Sequence, residues 1–305
     1  MTFLEKPFSY ILFIVLGYGL KRLGFFRQED RAVLSKVMLN ITLPCAVVQA
    51  FSGFERETRL YFIVLMGFVC TLLPLLIMYA AGKSCGPRLR VFRMLNAGGY
   101  NIGCFAMPLL TAFFGSQGVI VSCMFDIGNA VMMTGGAYAL TSSLLHLNAK
   151  KESAWDIAIK FLTSVPFDTY MLMLLLSALN IRLPQIVYSL TQPAAQANAF
   201  VAMTVIGLMF EPVFEKSLLS ETVKELLCRY ALALLYAAAA WWVLPFDLLT
   251  RQVLVVLAFA PISSLAPIYT DRCGGDTALA GFANSVSIAI GLVVMLSLSI
   301  LFTAA

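Results

Sequence analysis

Ten long apolar runs, separated by short polar connections, account for almost the whole chain. Their approximate limits are 7–23, 33–53, 60–81, 91–114 and 118–146 in the first half, then 157–180, 187–211, 221–243, 250–270 and 276–302 in the second. Each is close to the ~20 apolar residues that a helix needs to cross the hydrocarbon of a bilayer. The pattern therefore predicts an all-α integral membrane protein with ten transmembrane helices. Residues 1–147 form one five-helix half, 148–156 a polar linker, and 157–305 a second five-helix half.

Two runs are interrupted by helix-breaking residues midway along a span. The first reads NAGGYNIGCFAMPLLTAFFG over Asn96–Gly115, and the second FAPISSLAPIYTDRCG over Phe259–Gly274. Both contain Pro-x-x-Thr-x-x-x-Gly, as Pro108, Thr111 and Gly115 and as Pro267, Thr270 and Gly274, at a constant offset of 159 residues. Paired breaks at matching places of two halves are the sequence mark of a secondary-transporter binding site. Five spans per half is an odd number, so the halves insert in opposite orientations, as inverted repeats.

Composition agrees with a lipid solvent. Hydrophobic residues make up 60% and charged residues 12% of the 305, with a mean hydropathy of +0.88, against about 25% charged in a soluble domain. Thirteen Lys and Arg follow spans one, three, five, seven and nine (Lys21–Arg31, Lys83–Arg93, Lys150 and Lys151, Lys216 and Lys224, Arg272). Five lie on the other side: Lys6, Arg56, Arg59, Arg182 and Arg251. The positive-inside rule then makes the odd connections and the linker cytoplasmic and puts both termini outside. Lys36, Lys160 and Arg229 fall near span ends, so the expectation is that no basic side chain is available at depth to neutralise an anion.

The net charge of +5 is scattered between apolar runs rather than gathered in a stripe, which excludes a nucleic-acid surface. Seven cysteines without a C-x-x-C pair read as reduced packing thiols, and His146 is the single histidine, so no metal and no cofactor is expected. The amino-terminal apolar run from Pro7 to Leu20 lacks a basic leader and a cleavage site and reads as a retained span. Absence of G-x-S-x-G, a P-loop lysine and H-E-x-x-H argues against common enzymes and ATPases. The expectation is a carrier, not an enzyme, driven by gradients or mass action.

The chain resembles the auxin efflux carrier family in its short bacterial form. PFSYILFIVLGYGLKRLGFF and LSKVMLNITLPCAVVQAF are similar to the opening pair of spans, with Gly17-Tyr18 and Leu43-Pro44 as signatures. Asn101, Gly103 and Pro108 match the N-x-G-x-x-G-x-P break, with Ala106 replacing one glycine. Pro261 and Asp271-Arg272-Cys273-Gly274-Gly275-Asp276 resemble the ninth-span proline and its exit. The chain departs from the family at Leu265, where a polar Asn is usual, at the additional Pro267, and in the seventh span, which lacks a proline near Phe200. The resemblance implies a carrier in a bacterial inner membrane, with broken helices four and nine crossing, moving small organic anions such as auxin-like or malonate- and malate-like carboxylates. A homodimer is compatible with that reading. The alternatives are a sodium-coupled symporter of the bile-acid type, which shares the crossed-helix architecture, and a non-transporting receptor or enzyme.

The candidate substrate residues follow. A half-helix starting near Pro108 would aim free N–H groups at an anion, with Asn101 capping the break and Gly103 within it. On the ninth span the candidates are Pro261, Ser263 and Ser264, and on the tenth Asn284 and Ser287. The alternative role for the glycines is close helix packing, and for the serines hydrogen bonding within their own helix. Asp126, with Asn129 three residues on, is an ionisable group inside a span and the first candidate for proton coupling. Asp168 and Gln49 are lesser candidates, as a helix cap and as a wall of the site or helix glue.

Overall fold

In a computed structural model the chain is all-helical, without strands among the described residues, which are 2–27, 29–53, 58–147, 155, 159, 162–210 and 215–304. Most of the 148–156 linker lies outside them. The helices are α1 Thr2–Arg22, α2 Asp30–Val37, α3 Leu43–Ala50, α4 Tyr61–Ala81, α5 Pro87–Ala97, α6 Met107–Val131 and α7 Ala137–Leu144. The second half has α8 Val165–Ala178, α9 Gln185–Met209, α10 Lys216–Trp242, α11 Leu248–Leu257, α12 Ala266–Arg272 and α13 Thr277–Ala304.

Each predicted run contains helix. Among the described residues, four continuous stretches are long and apolar enough to cross a membrane, Asp30–Ala50, Tyr61–Ser84, Ile102–Leu144 and Thr277–Ala304, and Val165–Ala178 and Leu248–Leu257 are shorter apolar helices. The 43-residue stretch would measure ~65 Å if straight, about twice the bilayer core. It is not straight. Gly115 takes φ 59° and ψ −139°, and a Cβ at Gly118 would overlap the carbonyl oxygen of Leu110. Residues eight apart on a straight helix stand ~12 Å apart, so the chain doubles back at Gly115 and separates spans four and five.

Two prolines sit just past π-helical turns. Met38–Thr42 precedes Pro44, and Ile102–Ala106 precedes Pro108. Proline cannot donate to the carbonyl four residues back, and the wider turn absorbs that missing bond.

The helices sort into two groups. One contains α1, α2, α3, α8 and α9, and the other α4–α7 and α10–α13. Each takes elements from both halves of the sequence. The groups meet mainly through α6 and the turn at Ile102–Ala106, which touch α3, α8 and α9. Glycine seams allow backbones to approach within each group. A Cβ at Gly17 would overlap the Thr204 carbonyl, joining α1 to α9, and one at Gly67 would overlap the Phe125 carbonyl, joining α4 to α6. Thr42 donates to Asn198 (2.9 Å) and Gln49 to Thr191 (2.8 Å) inside the first group. Gln117 donates to Thr250 (2.8 Å) and Asn96 to Thr270 (3.0 Å) inside the second.

Candidate functional site: a crossing of two broken helices

The two interrupted segments meet in space. Between α5 and the turn at Ile102 the backbone is extended at Gly98 and irregular at Asn101, and α11 ends well before α12 begins. Tyr100 and Ile262 pair in antiparallel fashion, and the Asn101 amide donates to the Pro261 carbonyl at 3.0 Å. Gly98 and Gly99 make the first segment possible. A Cβ on Gly98 would overlap the Thr71 carbonyl, and Gly99 has φ +77°, which side chains resist.

The repeat residues share local features on the two sides. Pro108 and Pro267 are each the second residue of a helix, α6 and α12. Thr111 and Thr270 donate to the carbonyl four residues back, Met107 at 2.7 Å and Ala266 at 2.8 Å. Gly115 and Gly274 both have positive φ, 59° and 70°. The threonine bonds and the positive φ at glycine thus recur on both sides, whereas Pro267 opens a helix and Pro108 lies inside one that began at Ile102.

Unpaired backbone groups at depth must be satisfied by protein or face water, and here neighbouring helices supply partners. The Asn129 carbonyl oxygen accepts from the Tyr100 amide (3.0 Å), and its Nδ2 donates to the Tyr100 carbonyl (3.1 Å) and to Asp126 Oδ1 (3.0 Å). Ser287 accepts from the Ile262 amide at 3.1 Å. One polar residue from the helix after each break therefore holds the broken strand.

Arg229 of α10 supplies the rest. Its guanidinium is buried and donates to the carbonyls of Ala97 (3.0 Å), Gly98 (3.3 Å), Gly99 (2.9 Å) and Ala260 (2.9 Å), with the ring of Tyr100 4.7 Å away. These are the orphan carbonyls where α5 and α11 end, the negative poles of two helices. The expectation of no basic side chain at depth is overturned by this residue. A long side chain on a helix facing the protein reaches inward, and proximity to the charged end of a sequence run does not reveal it.

A cavity of about 370 Å³ adjoins the crossing, between the two helix groups. It is lined from the second group by Tyr100–Cys104, Asp126, Asn129, Ala130, Met133, Thr134 and Ser263–Leu265, and from the first by Leu39, Asn40, Thr163–Phe167 and Tyr170. Asn101, Gly103, Asp126, Asn129, Ser263 and Ser264 are thus brought together. The Asn101 Nδ2 is buried without a hydrogen-bond partner. Beside it the helix restarts at Ile102, so the amides of Ile102, Gly103 and Cys104 head a helix with no carbonyl upstream of them.

The remaining sequence candidates lie elsewhere. The helix restarts six residues ahead of Pro108, which is buried within it rather than at its head. A proline reads as a helix start, but the π-turn lets the helix begin earlier. Pro261 contributes its backbone carbonyl to Asn101. Ser263 accepts from the Leu265 amide (3.3 Å), a turn bond that prepares the start of α12. Ser287 is spent on Ile262, while Asn284 lines a second cavity of about 460 Å³ with Arg31, Glu215, Ser264, Thr277 and Ser285. Ser264 borders both cavities. Asp168 is exposed and outside the cavity lining, and Gln49 joins α3 to α9.

The connections after spans one, three, seven and nine gather at one end: Arg31, Glu215 and Thr277 line one cavity and Arg88, Ser217 and Asp276 another. Arg59 reaches the Pro245 carbonyl (3.3 Å), joining even-numbered connections to each other.

Residues 2–164 match the membrane transport protein family. An uncharacterized transporter of Methanothermobacter thermautotrophicus is 27% identical over 143 residues, 43% of this chain and 44% of the relative. The chain thus spans less than half the length of that relative in the match. With more than half of its length in the family match, this chain belongs to the membrane transport proteins, the auxin efflux carrier family.

Proposed function

We propose that the chain is a secondary carrier of a small organic anion, a mono- or dicarboxylate of malonate or malate size, bound at the helix crossing. The observation that carries this reading is the unpartnered Asn101 Nδ2 beside the free amides of Ile102–Cys104, in a cavity between two helix groups. A carboxylate accepts two or more hydrogen bonds, and a helix amino terminus adds a positive pole. Arg229 does not line the cavity, but it lies behind the ring of Tyr100, which does, and adds a positive charge near that wall. The cavity's volume is at the low end for ligand pockets, which favours a compact substrate.

Asp126 lines the same cavity. An ionised carboxylate there would repel an anionic substrate, so anion entry accompanied by a proton on Asp126 is the electrostatically favoured cycle. That supports proton coupling. Transport would follow from movement of one helix group against the other around the crossing. The apolar contact through α6 suits such sliding. The shared Thr hydrogen bonds and positive-φ glycines support an inverted-repeat plan of ten spans. With the basic end cytoplasmic in a bacterial inner membrane and both termini outside, both cavities open towards the cytoplasm.

Counterflow in proteoliposomes with a panel of labelled mono- and dicarboxylates tests the reading. At least one should exchange above empty liposomes and be competed by unlabelled carboxylate. Exchange confined to amines or neutral solutes would overturn it.

A further inference from the structure

Glu225 has no part in the carrier scheme above, yet it is the most deeply buried acidic side chain described, at 1% exposure. Both its carboxylate oxygens lack a hydrogen-bond partner. It lies on α10, four residues before Arg229, and Glu followed by Arg at that spacing is the favoured order for an intrahelical ion pair. The pair is not made, because the Arg229 donors are given to the four crossing carbonyls. The charged groups facing Glu225 are Arg93 from α5 and Arg229 and Glu221 on its own helix, with Cys228 beside it. Arg93 is engaged by Glu221 (2.7 Å) and by Cys85 (3.2 Å). The packed helix α13, Thr277–Ala304, has no titratable side chain.

An unpaired buried carboxylate is tolerated as the neutral acid and not as the ion. We propose that Glu225 is a proton-binding site that controls the crossing. With its proton bound, Arg229 is free to hold the carbonyls of both broken helices. Without it, the Glu225 carboxylate competes for Arg229, one turn away, and the clamp on Ala97–Gly99 and Ala260 loosens. The site is separate from Asp126, which lies across the crossing in the substrate cavity. The inference rests on the carrier reading only in giving the crossing a moving part, and its test needs no substrate.

Hydrogen–deuterium exchange on the full chain reads the clamp through the amides of Tyr100, Asn101 and Ile262, each hydrogen-bonded at the crossing. One coupled proton changes an opening equilibrium by at most about ten-fold per pH unit. After correction for intrinsic exchange rates, opening at these amides should rise about ten-fold or more between pH 5.5 and pH 8.5. The Glu225→Gln protein, fixed in the neutral form, should stay protected throughout. The Glu225→Met protein, which cannot ionise and keeps the side-chain bulk, should stay protected likewise, and this arm decides the matter if Glu225→Gln does not fold. Flat protection in the wild type would overturn the proposal. So would pH dependence that survives in Glu225→Gln or Glu225→Met.

Discussion

Replacing Arg229 with Met should loosen the crossing more than any other single change in α10. Met has similar length and apolar bulk, so the packing of the stem is largely kept and the four donated hydrogen bonds are lost. A hydrogen bond to a charged group is worth roughly 1.5–3 kcal/mol, but the four share one guanidinium and do not add. Breaking a buried charged network by removing one partner costs roughly 3–5 kcal/mol, and that is the better guide. At roughly 2–4 °C per kcal/mol for chains of this size class, thermal unfolding in detergent should fall by about 6–20 °C. Arg229→Lys should recover only part of that loss. A lysine has three donors from one nitrogen, and the carbonyls of Ala97, Gly99 and Ala260 belong to two different segments. Measured by intrinsic fluorescence at a fixed scan rate, the expected order is wild type, then Lys, then Met. A Met variant with wild-type melting and wild-type exchange at the Tyr100 amide would refute the clamp.

Gly98→Ala should cost about 1–3 kcal/mol through overlap with the Thr71 carbonyl, whereas Gly281→Ala, with open space around it, should melt like the wild type in the same assay. Asp126→Asn should fold and flatten the pH profile of carboxylate flux in proteoliposomes, because an amide keeps the volume but does not titrate; an unchanged profile would make Asp126 a packing residue. A reporter active only in the cytoplasm should be silent when fused after Ala305 and active within the 148–156 linker, and the reverse would overturn the orientation drawn from the basic residues.

Much of this architecture was legible in the chain. Each of the ten apolar runs contains helix, because apolar length is the one property a bilayer demands. The two interruptions were visible as Gly-Gly-Tyr-Asn and as Pro-Ile-Ser-Ser inside those runs, and the recurring Thr and Gly marked local features that both sides share. What could not be read was who satisfies the broken backbone. Arg229 lies in the sequence among the charges that begin α10, and its inward reach depends on which face of that helix meets α5 and α11. Asn129 looked like a companion of Asp126, and only the fold shows it gripping both backbone groups of Tyr100. Pro108 seemed to mark the head of the second half-helix, but a π-turn moved that head to Ile102. Asn284 and Ser287 share a helix face by spacing, yet one lines a cavity and the other is consumed by Ile262. Sequence periodicity locates a face, and the neighbours decide what that face does.

The central claim is that an anion's carboxylate rests on the Asn101 side-chain Nδ2 and the helix head beside it. Losing one hydrogen bond to a charged group weakens binding by about 1.5–3 kcal/mol, roughly 10- to 150-fold. The direct measurement is the equilibrium affinity of purified wild-type and Asn101→Ala proteins for the carboxylate that exchanges best in proteoliposomes, with Thr111→Ala as the comparison. Thr111 donates to its own helix at Met107 and does not line the cavity. The account predicts a loss in that range for Asn101→Ala and near wild-type binding for Thr111→Ala. Wild-type affinity in a folded Asn101→Ala protein would contradict it and place the anion elsewhere.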